Sequence, residues 1–508
     1  MVRLPTRSAG RIALLVTALT LSAAPAVAAV PAPTGSIAWG PCPEDVLALV
    51  PPEHRFRYGC GKQAVPLDHA EPSAGSIDLM LVRRAASKPA ERIGSILINP
   101  GGPGADGLLL ATIPSVVFPS SVPDHFDLVG FDPRGVGRSN PLKCFTTQES
   151  ADAVRARMIP VPVTTSEIKS TVDAYAEYGR GCGTVGGPII KHMSTEDTAR
   201  DLDVLRGALG EQKLNYVGLS YGTLLGATYA NLFPDKVRAM ILDGAVDPAL
   251  RTNDALRYDR ERALAFERAL SAFLKRCKDE GPKCAFSEGD PRAKFDAIRE
   301  RLRKGPLNLP GGGTITLSQF TAKVGDVLES IAMLGQTDLA KLAIELQELH
   351  TVPAPRTTGT DAPYTGHDAF YGVNCSDKPF PRTPAIVPSV AAAWEREAPT
   401  FGRRQAFTDF AGCANWPVTA KEVYRGPWNA RTSAPVLVVG IYNDPATPYS
   451  FSKRMAAQLG NARLLDVDAF GHTSIGSSAC VDSAVEKYLT KLALPAAGLV
   501  CKPNKQPF

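Results

Sequence analysis

Short apolar runs recur along the chain, each closed by glycine, proline or a charged residue. Ile77–Val82 alternates apolar and polar positions enough to predict a strand. Ser95–Asn99, Phe126–Asp132, Leu214–Gly218, Val237–Asp243, Pro435–Gly440 and Ala462–Val467 are denser in branched aliphatic residues. Runs of this kind predict strands covered on both faces, as in a parallel sheet. Helical periodicities lie between several of them. In Glu196–Leu209, Leu202, Leu205 and Leu209 fall at helical spacing, and Ser194 with Asp197 predicts a capping box. Strand alternating with helix predicts an α/β fold with a mostly parallel central sheet. Such sheets place their ligands at the carboxyl ends of the strands.

From about Arg251 to Trp416 the pattern changes. Tyr258–Cys277 and Leu317–Leu349 carry amphipathic helical patterns, strand-like runs are scarce, and proline and threonine punctuate Val352–Tyr364. The expectation is a mainly helical cap, residues 251–416, inserted late in the sheet between two parts of one core, 29–250 and 417–508. No internal repeat is evident.

Residues 1–28 read as an export leader. Arg3, Arg7 and Arg11 precede the apolar stretch Ile12–Ala24, and Ala26-Val27-Ala28 forms a small-x-small cleavage site. The apolar stretch falls short of the ~20 residues a membrane span needs. A secreted protein with no stable membrane insertion after cleavage is expected. The ten cysteines agree, being even in number and dispersed with no C-x-x-C pair. Five disulfides are expected, and short loops favour Cys277 with Cys284 and Cys480 with Cys501. An apolar content of 44% excludes global disorder, and 56 basic against 51 acidic residues is too balanced for a nucleic-acid binder.

Candidate chemistry lies in four turns. Gly218-Leu219-Ser220-Tyr221-Gly222 joins a strand to a small-residue helix, as a nucleophile elbow requires. Asn99-Pro100-Gly101-Gly102-Pro103-Gly104 follows an early strand. Acyl transfer needs two backbone N–H groups aimed at one oxyanion. Tyr221 and Gly102 are the expected donors, with Gly101 as the alternative to Gly102. A phosphate-cradling reading of the same loop fails, because no Lys-Ser or Lys-Thr follows. Asn443-Asp444-Pro445 and Gly471-His472-Thr473 complete the set. The order Ser220, Asp444, His472 is that of an α/β-hydrolase triad. Asp243 is the rival acid, because it also ends a strand. The other six histidines read as surface or core residues. No metal cluster or dinucleotide fingerprint is present, so no metal and no cofactor is expected.

The elbow, the Asn99–Gly104 loop, Asp132-Pro133-Arg134-Gly135-Val136-Gly137-Arg138-Ser139, Leu242-Asp243-Gly244-Ala245-Val246-Asp247-Pro248 and the tail with Asp444 and His472 resemble the secreted tripeptidyl aminopeptidases of actinobacteria. These are α/β-hydrolase serine exopeptidases related to prolyl aminopeptidases. The resemblance implies an α/β-hydrolase fold, a helical cap over the site, and release of tripeptides or short N-terminal units from peptides with a free N-terminus. Prolyl aminopeptidases usually have His before Gly-Gly-Pro-Gly, whereas Pro100 stands here, which favours the tripeptidyl branch. An aminopeptidase also needs a poorly solvated carboxylate for the α-amine. Asp377, late in the cap beside Cys375, is the candidate, against a purely structural reading. The rival functions are an esterase or lipid hydrolase on the same triad and a non-catalytic binding protein. Activity is expected to rise as His472 deprotonates near about 6.5.

Overall fold

The structure is a computed structural model and describes residues 36–119, 121–309, 312–330, 337–351 and 368–508. The leader expected over residues 1–28 lies outside them, as does Val352–Tyr364. Eleven strands are present among the described residues: β1 (Tyr58–Pro66), β2 (Ser76–Arg84), β3 (Gly94–Asn99), β4 (Phe126–Phe131), β5 (Leu214–Leu219), β6 (Val237–Asp243), β7 (Leu307–Asn308), β8 (Thr314–Ile315), β9 (Val436–Asn443), β10 (Ala462–Phe470) and β11 (Val500–Cys501). Nine of them form one sheet in the order β1-β2-β4-β3-β5-β6-β9-β10-β11. From β4 to β11 every neighbouring pair is parallel, while β2 is antiparallel to both β1 and β4.

The central strands are apolar throughout because both faces are covered. On β3, Leu97 enters the core on one side of the sheet, and Ile96 and Ile98 enter the core on the other. Tyr216 and Val217 on β5, and Met240 and Ile241 on β6, divide in the same way. Helices Thr195–Ala208 and Gly222–Leu232 pack on the first face and Ala479–Lys491 on the second. Ser194 caps its helix by accepting from Asp197 N, but Asp197 Oδ2 takes the Ser194 hydroxyl rather than the backbone N–H, so the expected box is only half formed.

β6 and β9 are neighbours in the sheet, yet the chain between them leaves it for a long helical excursion. Helices Ala255–Glu280, Pro291–Lys304, Leu317–Glu329 and Thr337–Thr351 form its own apolar core around Phe266, Phe273, Phe295 and Phe320. The single pattern expected over Leu317–Leu349 is therefore two helices. The first ends at Glu329 because Ser330 turns extended. Five disulfides are present, pairing Cys42 with Cys60, Cys144 with Cys182, Cys277 with Cys284, Cys375 with Cys413 and Cys480 with Cys501. No helix of the described residues is long and apolar enough to cross a membrane.

Candidate active site

β5 ends where the chain must turn sharply into helix Gly222–Leu232. Ser220 makes the turn at φ +55°, a left-handed conformation that costs a residue with a side chain about 1–3 kcal/mol. The glycines on either side are a steric necessity. A Cβ on Gly218 would lie 2.3 Å from Gly222 O, and one on Gly222 would lie 2.8 Å from Asn99 O. Ser220 N donates to Asp243 O at 2.9 Å, which sets the serine beside the end of β6.

The loop after β3 faces the same point. Asn99 Oδ1 accepts Gly101 N at 3.0 Å, so that N–H is already engaged. The N–H groups of Gly102 and Tyr221 have no partner among the described residues. Both residues line a cavity of about 40 Å³ with Ser220. Two free donors at a helix N-terminus beside a serine form a pocket suited to a developing oxyanion.

His472 Nδ1 lies 2.8 Å from Asp444 Oδ2, and both side chains are buried. Asp444 is fixed further by Ala446 N and Thr447 N, both donating to Oδ1 at 2.9 Å, and by Thr447 Oγ1 donating to Oδ2 at 2.8 Å. A carboxylate only accepts, so Nδ1 carries the proton and Nε2 is left as an acceptor. That Nε2 is buried with no partner among the described residues. The structure shows no hydrogen bond between it and Ser220. Gly244, the residue after Asp243, lies against the imidazole, where a Cβ would be 2.9 Å from His472 Cε1, and Asp243 O in turn accepts Ser220 N. Catalytic hydrogen bonds are often long before substrate binds.

Asp243, the rival acid, has a different position. Its Oδ2 accepts Ser474 N at 2.7 Å and Ile475 N at 2.9 Å, so it holds the loop that follows His472. Burial pushes its pKa up to about 6. For His472, burial pulls the pKa down, but the charge and hydrogen bond of Asp444, with help from Glu329 and Asp243, outweigh it and the net direction is upward. The expectation of a value near 6.5 is corrected accordingly.

The cavity walls supplied by the excursion are charged. Arg251, Arg262, Glu329 and Asp409 all line it. Asp409 lies in the π-helical turn Ala406–Phe410, a geometry that recurs at functional sites. Its Oδ2 accepts from Lys378 at 2.7 Å and Arg262 at 3.1 Å. Burial raises the Asp409 pKa, but these cations reverse the sign and hold it low. Lys378 also binds Asp259 at 2.9 Å. Arg251 donates to Asn374 Oδ1 at 2.6 Å and lies over the rings of Tyr221 and Tyr258. Arg262 Nε donates to Ala446 O at 3.0 Å, tying this cluster to the Asp444 turn. Glu329, by contrast, has no hydrogen-bond or ion-pair partner among the described residues.

Asp377 is not on this wall. It is 1% exposed, its Oδ1 accepts Thr195 N at 2.9 Å, and its Oδ2 accepts Thr195 Oγ1 at 2.6 Å. Thr195 Oγ1 is in turn 2.6 Å from the Tyr221 hydroxyl. With the threonine proton directed at Asp377, Tyr221 must be the donor to Thr195. Asp377 thus stands behind Tyr221 with both oxygens satisfied, and the amine-anchor expectation fails on geometry. Asp377→Asn is expected to lower kcat by about tenfold, a loss of ordinary hydrogen-bond size. The loss should be equal for free-amine and N-acetylated substrates, which paired kinetics would check.

Sequence reasoning missed Thr447, Glu329, Asp409 and Thr195. Only Thr447 left a signal, as the hydroxyl three residues after an Asx-type turn residue.

Residues 398–501 match the family described as TAP-like protein, and residues 94–274 match the alpha/beta hydrolase fold family. The chain is 32% identical to the "Tripeptidyl aminopeptidase" of Streptomyces coelicolor over 95% of its own length and 89% of that protein's. It is 31% identical to "Serine protease Hip1" of Mycobacterium tuberculosis, over 87% of each chain. It is also 32% identical to "Carboxylesterase B" of that organism, over 87% of this chain and 86% of the other. An α/β-hydrolase sheet, an elbow serine and relatives spanning nearly the whole chain converge: the chain belongs to the TAP-like family of α/β-hydrolases and is a serine peptidase.

Proposed function

We propose that the protein is a secreted exopeptidase that releases tripeptides or short N-terminal units through an acyl-enzyme on Ser220. The observation that carries this reading is the orphaned Nε2 of a buried Asp444–His472 pair in a chain whose elbow serine, Ser220, is held in a left-handed backbone conformation. A buried polar atom without a partner needs an explanation, and a base awaiting the Ser220 proton supplies one. His472 Nε2 takes that proton as Oγ attacks the scissile carbonyl. The N–H groups of Gly102 and Tyr221 stabilise the tetrahedral oxyanion. The imidazolium, held by Asp444, returns the proton to the leaving amine, and water then repeats the sequence to free the acyl unit.

The charge inventory of the cavity favours Glu329 as the anchor for the substrate's α-ammonium. Asp259 and Asp409 are satisfied by Lys378 and Arg262. Asp377 is satisfied by Thr195, with Arg251 lowering its pKa against a larger upward effect of burial. Glu329 is the remaining carboxylate on the cavity. The helical excursion, residues 251–416, would then act as a cap that presents the anchor over a core formed by 29–250 and 417–508. The disulfides are compatible with export.

Glu329→Gln is expected to lower kcat/KM for a free-amine tripeptidyl anilide by about 10–100-fold, the scale of a hydrogen bond to a charged group. The N-acetylated anilide should be nearly unaffected. An equal loss on both substrates would sink the assignment. A pH profile gives a second check. His472 acts as base only when neutral, and its pKa is raised, so the acidic limb of kcat/KM should have its midpoint above 6.5. Removing the Glu329 charge removes one cause of the elevation and should move that midpoint down.

An esterase reading has one specific support, the relatives named for carboxylesterase activity. Comparing a tripeptidyl amide with a free amine against a short acyl ester separates the two. The peptidase reading requires the larger kcat/KM on the amide relative to uncatalysed hydrolysis.

A further inference from the structure

Across the Asn99–Gly104 loop from the catalytic cavity lies a second and larger hollow of about 680 Å³. Gly102, Pro103 and Phe370 belong to the walls of both. The loop is thus a partition, with Ser220 on one side and the larger hollow on the other. Gly104 packs so closely against the helix Asp368–Asp377 that a Cβ would lie 2.8 Å from Phe370 N, which fixes the partition in place.

The two sides differ in chemistry. The inner one carries Arg251, Arg262, Glu329 and Asp409. The outer one is apolar, with Pro103, Val136, Pro141, Leu142 and Phe370 on its walls, and Asp106 and Lys143 as its charged groups. Asp106 is engaged, accepting Leu108 N at 2.8 Å. Lys143 is exposed and has no ion-pair partner among the described residues. The outer hollow therefore offers apolar surface with one exposed cation, Lys143, and one carboxylate, Asp106, already held by a backbone N–H.

Substrate geometry connects the two sides, given the reading above. If the α-amine is held on the inner side and the scissile carbonyl oxygen meets Gly102 N–H, the chain crosses the partition at Gly102–Pro103. That edge is the wall the two hollows share. We propose that the outer hollow is the leaving-side subsite, binding the first residues C-terminal to the scissile bond, with apolar side chains on Pro141–Leu142 and an acidic group opposite Lys143. The continuous wall, the apolar lining and the exposed lysine commit it to this occupant. The enzyme would then recognise both sides of the bond it cleaves.

The test uses the full-length enzyme and one tripeptide unit with three leaving groups: an anilide, an apolar-acidic peptide extension, and a polar-basic extension of equal length. The apolar-acidic extension should exceed the polar-basic one in kcat/KM by about tenfold, the discrimination an apolar pocket commonly gives. Pro141→Trp, which narrows the hollow with a large ring at its exposed rim, should reduce that preference. Lys143→Glu, a surface change that does not threaten folding, should reverse the acidic component. Both variants should cleave the anilide within about twofold of wild type, since that leaving group is too short to use the subsite. Equal rates for the two extensions, or a preference that survives both substitutions, would overturn the proposal. If only a medium-chain acyl ester shows a Pro141→Trp-sensitive advantage, the hollow serves a lipid-like group and the peptide assignment falls. Loss of the free-amine requirement on the anilide itself would instead strike the exopeptidase reading, so the two failures are distinguishable.

Discussion

Ser220→Ala is expected to lower kcat by about 10⁴–10⁶-fold on a tripeptidyl anilide, because a Ser-His-Asp triad acts as a unit and little catalysis survives loss of the nucleophile, the role proposed for Ser220. The same variant should lose labelling by a fluorophosphonate probe. Stability should change by less than about 1 kcal/mol. The Ser220 hydroxyl makes no hydrogen bond among the described residues, and alanine meets the same left-handed backbone strain at φ +55°. A melting curve beside the kinetics separates lost chemistry from lost folding. A folded Ser220→Ala enzyme that kept more than about a hundredth of its rate would exclude Ser220 as the attacking group.

Asp444→Asn is the second large effect, about 10⁴-fold in kcat. Geometry can persist, since asparagine still accepts from Ala446 N and Thr447 N. Its amide, however, would compete to donate to Nδ1 and drive the proton to Nε2, which is the wrong tautomer for a base. Asp243→Asn is the matched control. Its carboxylate accepts from Ser474 N and Ile475 N and has no hydrogen bond to the imidazole. One amide oxygen can keep those contacts, so the loss in kcat should stay within about tenfold. Comparable losses in the two variants would mean that the acid has been misassigned.

The parts of this site that could be read from the sequence are those forced by backbone sterics. Gly218 and Gly222 are required wherever a serine turns between a strand and a helix, so the elbow was visible without coordinates. The central strands were visible because both faces are apolar. β1 was not, because Gly59, Gly61, Lys62 and Gln63 break any apolar run on this edge strand. β11, with two residues, is too short to carry a pattern. Asp377 shows the opposite limit. Its place late in the excursion was legible, but the partner that satisfies it, Thr195, lies 182 residues earlier. Glu329 carried no local mark at all. It is one acidic residue among many on amphipathic helices, and only the tertiary arrangement leaves it on the cavity wall without a hydrogen bond or ion pair among the described residues.

The disulfides have a mechanical consequence. Two of them, Cys277–Cys284 and Cys375–Cys413, begin and end within the chain between β6 and β9, and the other three lie wholly outside it. None stitches across the seam, which is closed only by reversible contacts such as Arg262 with Ala446 and Asp377 with Thr195. The cavity of about 40 Å³ has room for a few waters and takes its walls from both sides of this seam, Arg262 from the excursion and Ala446 from the core. Under the tripeptide-releasing proposal the acyl unit needs the seam to widen, so an engineered crosslink across it should leave the protein folded and lower kcat/KM on peptides.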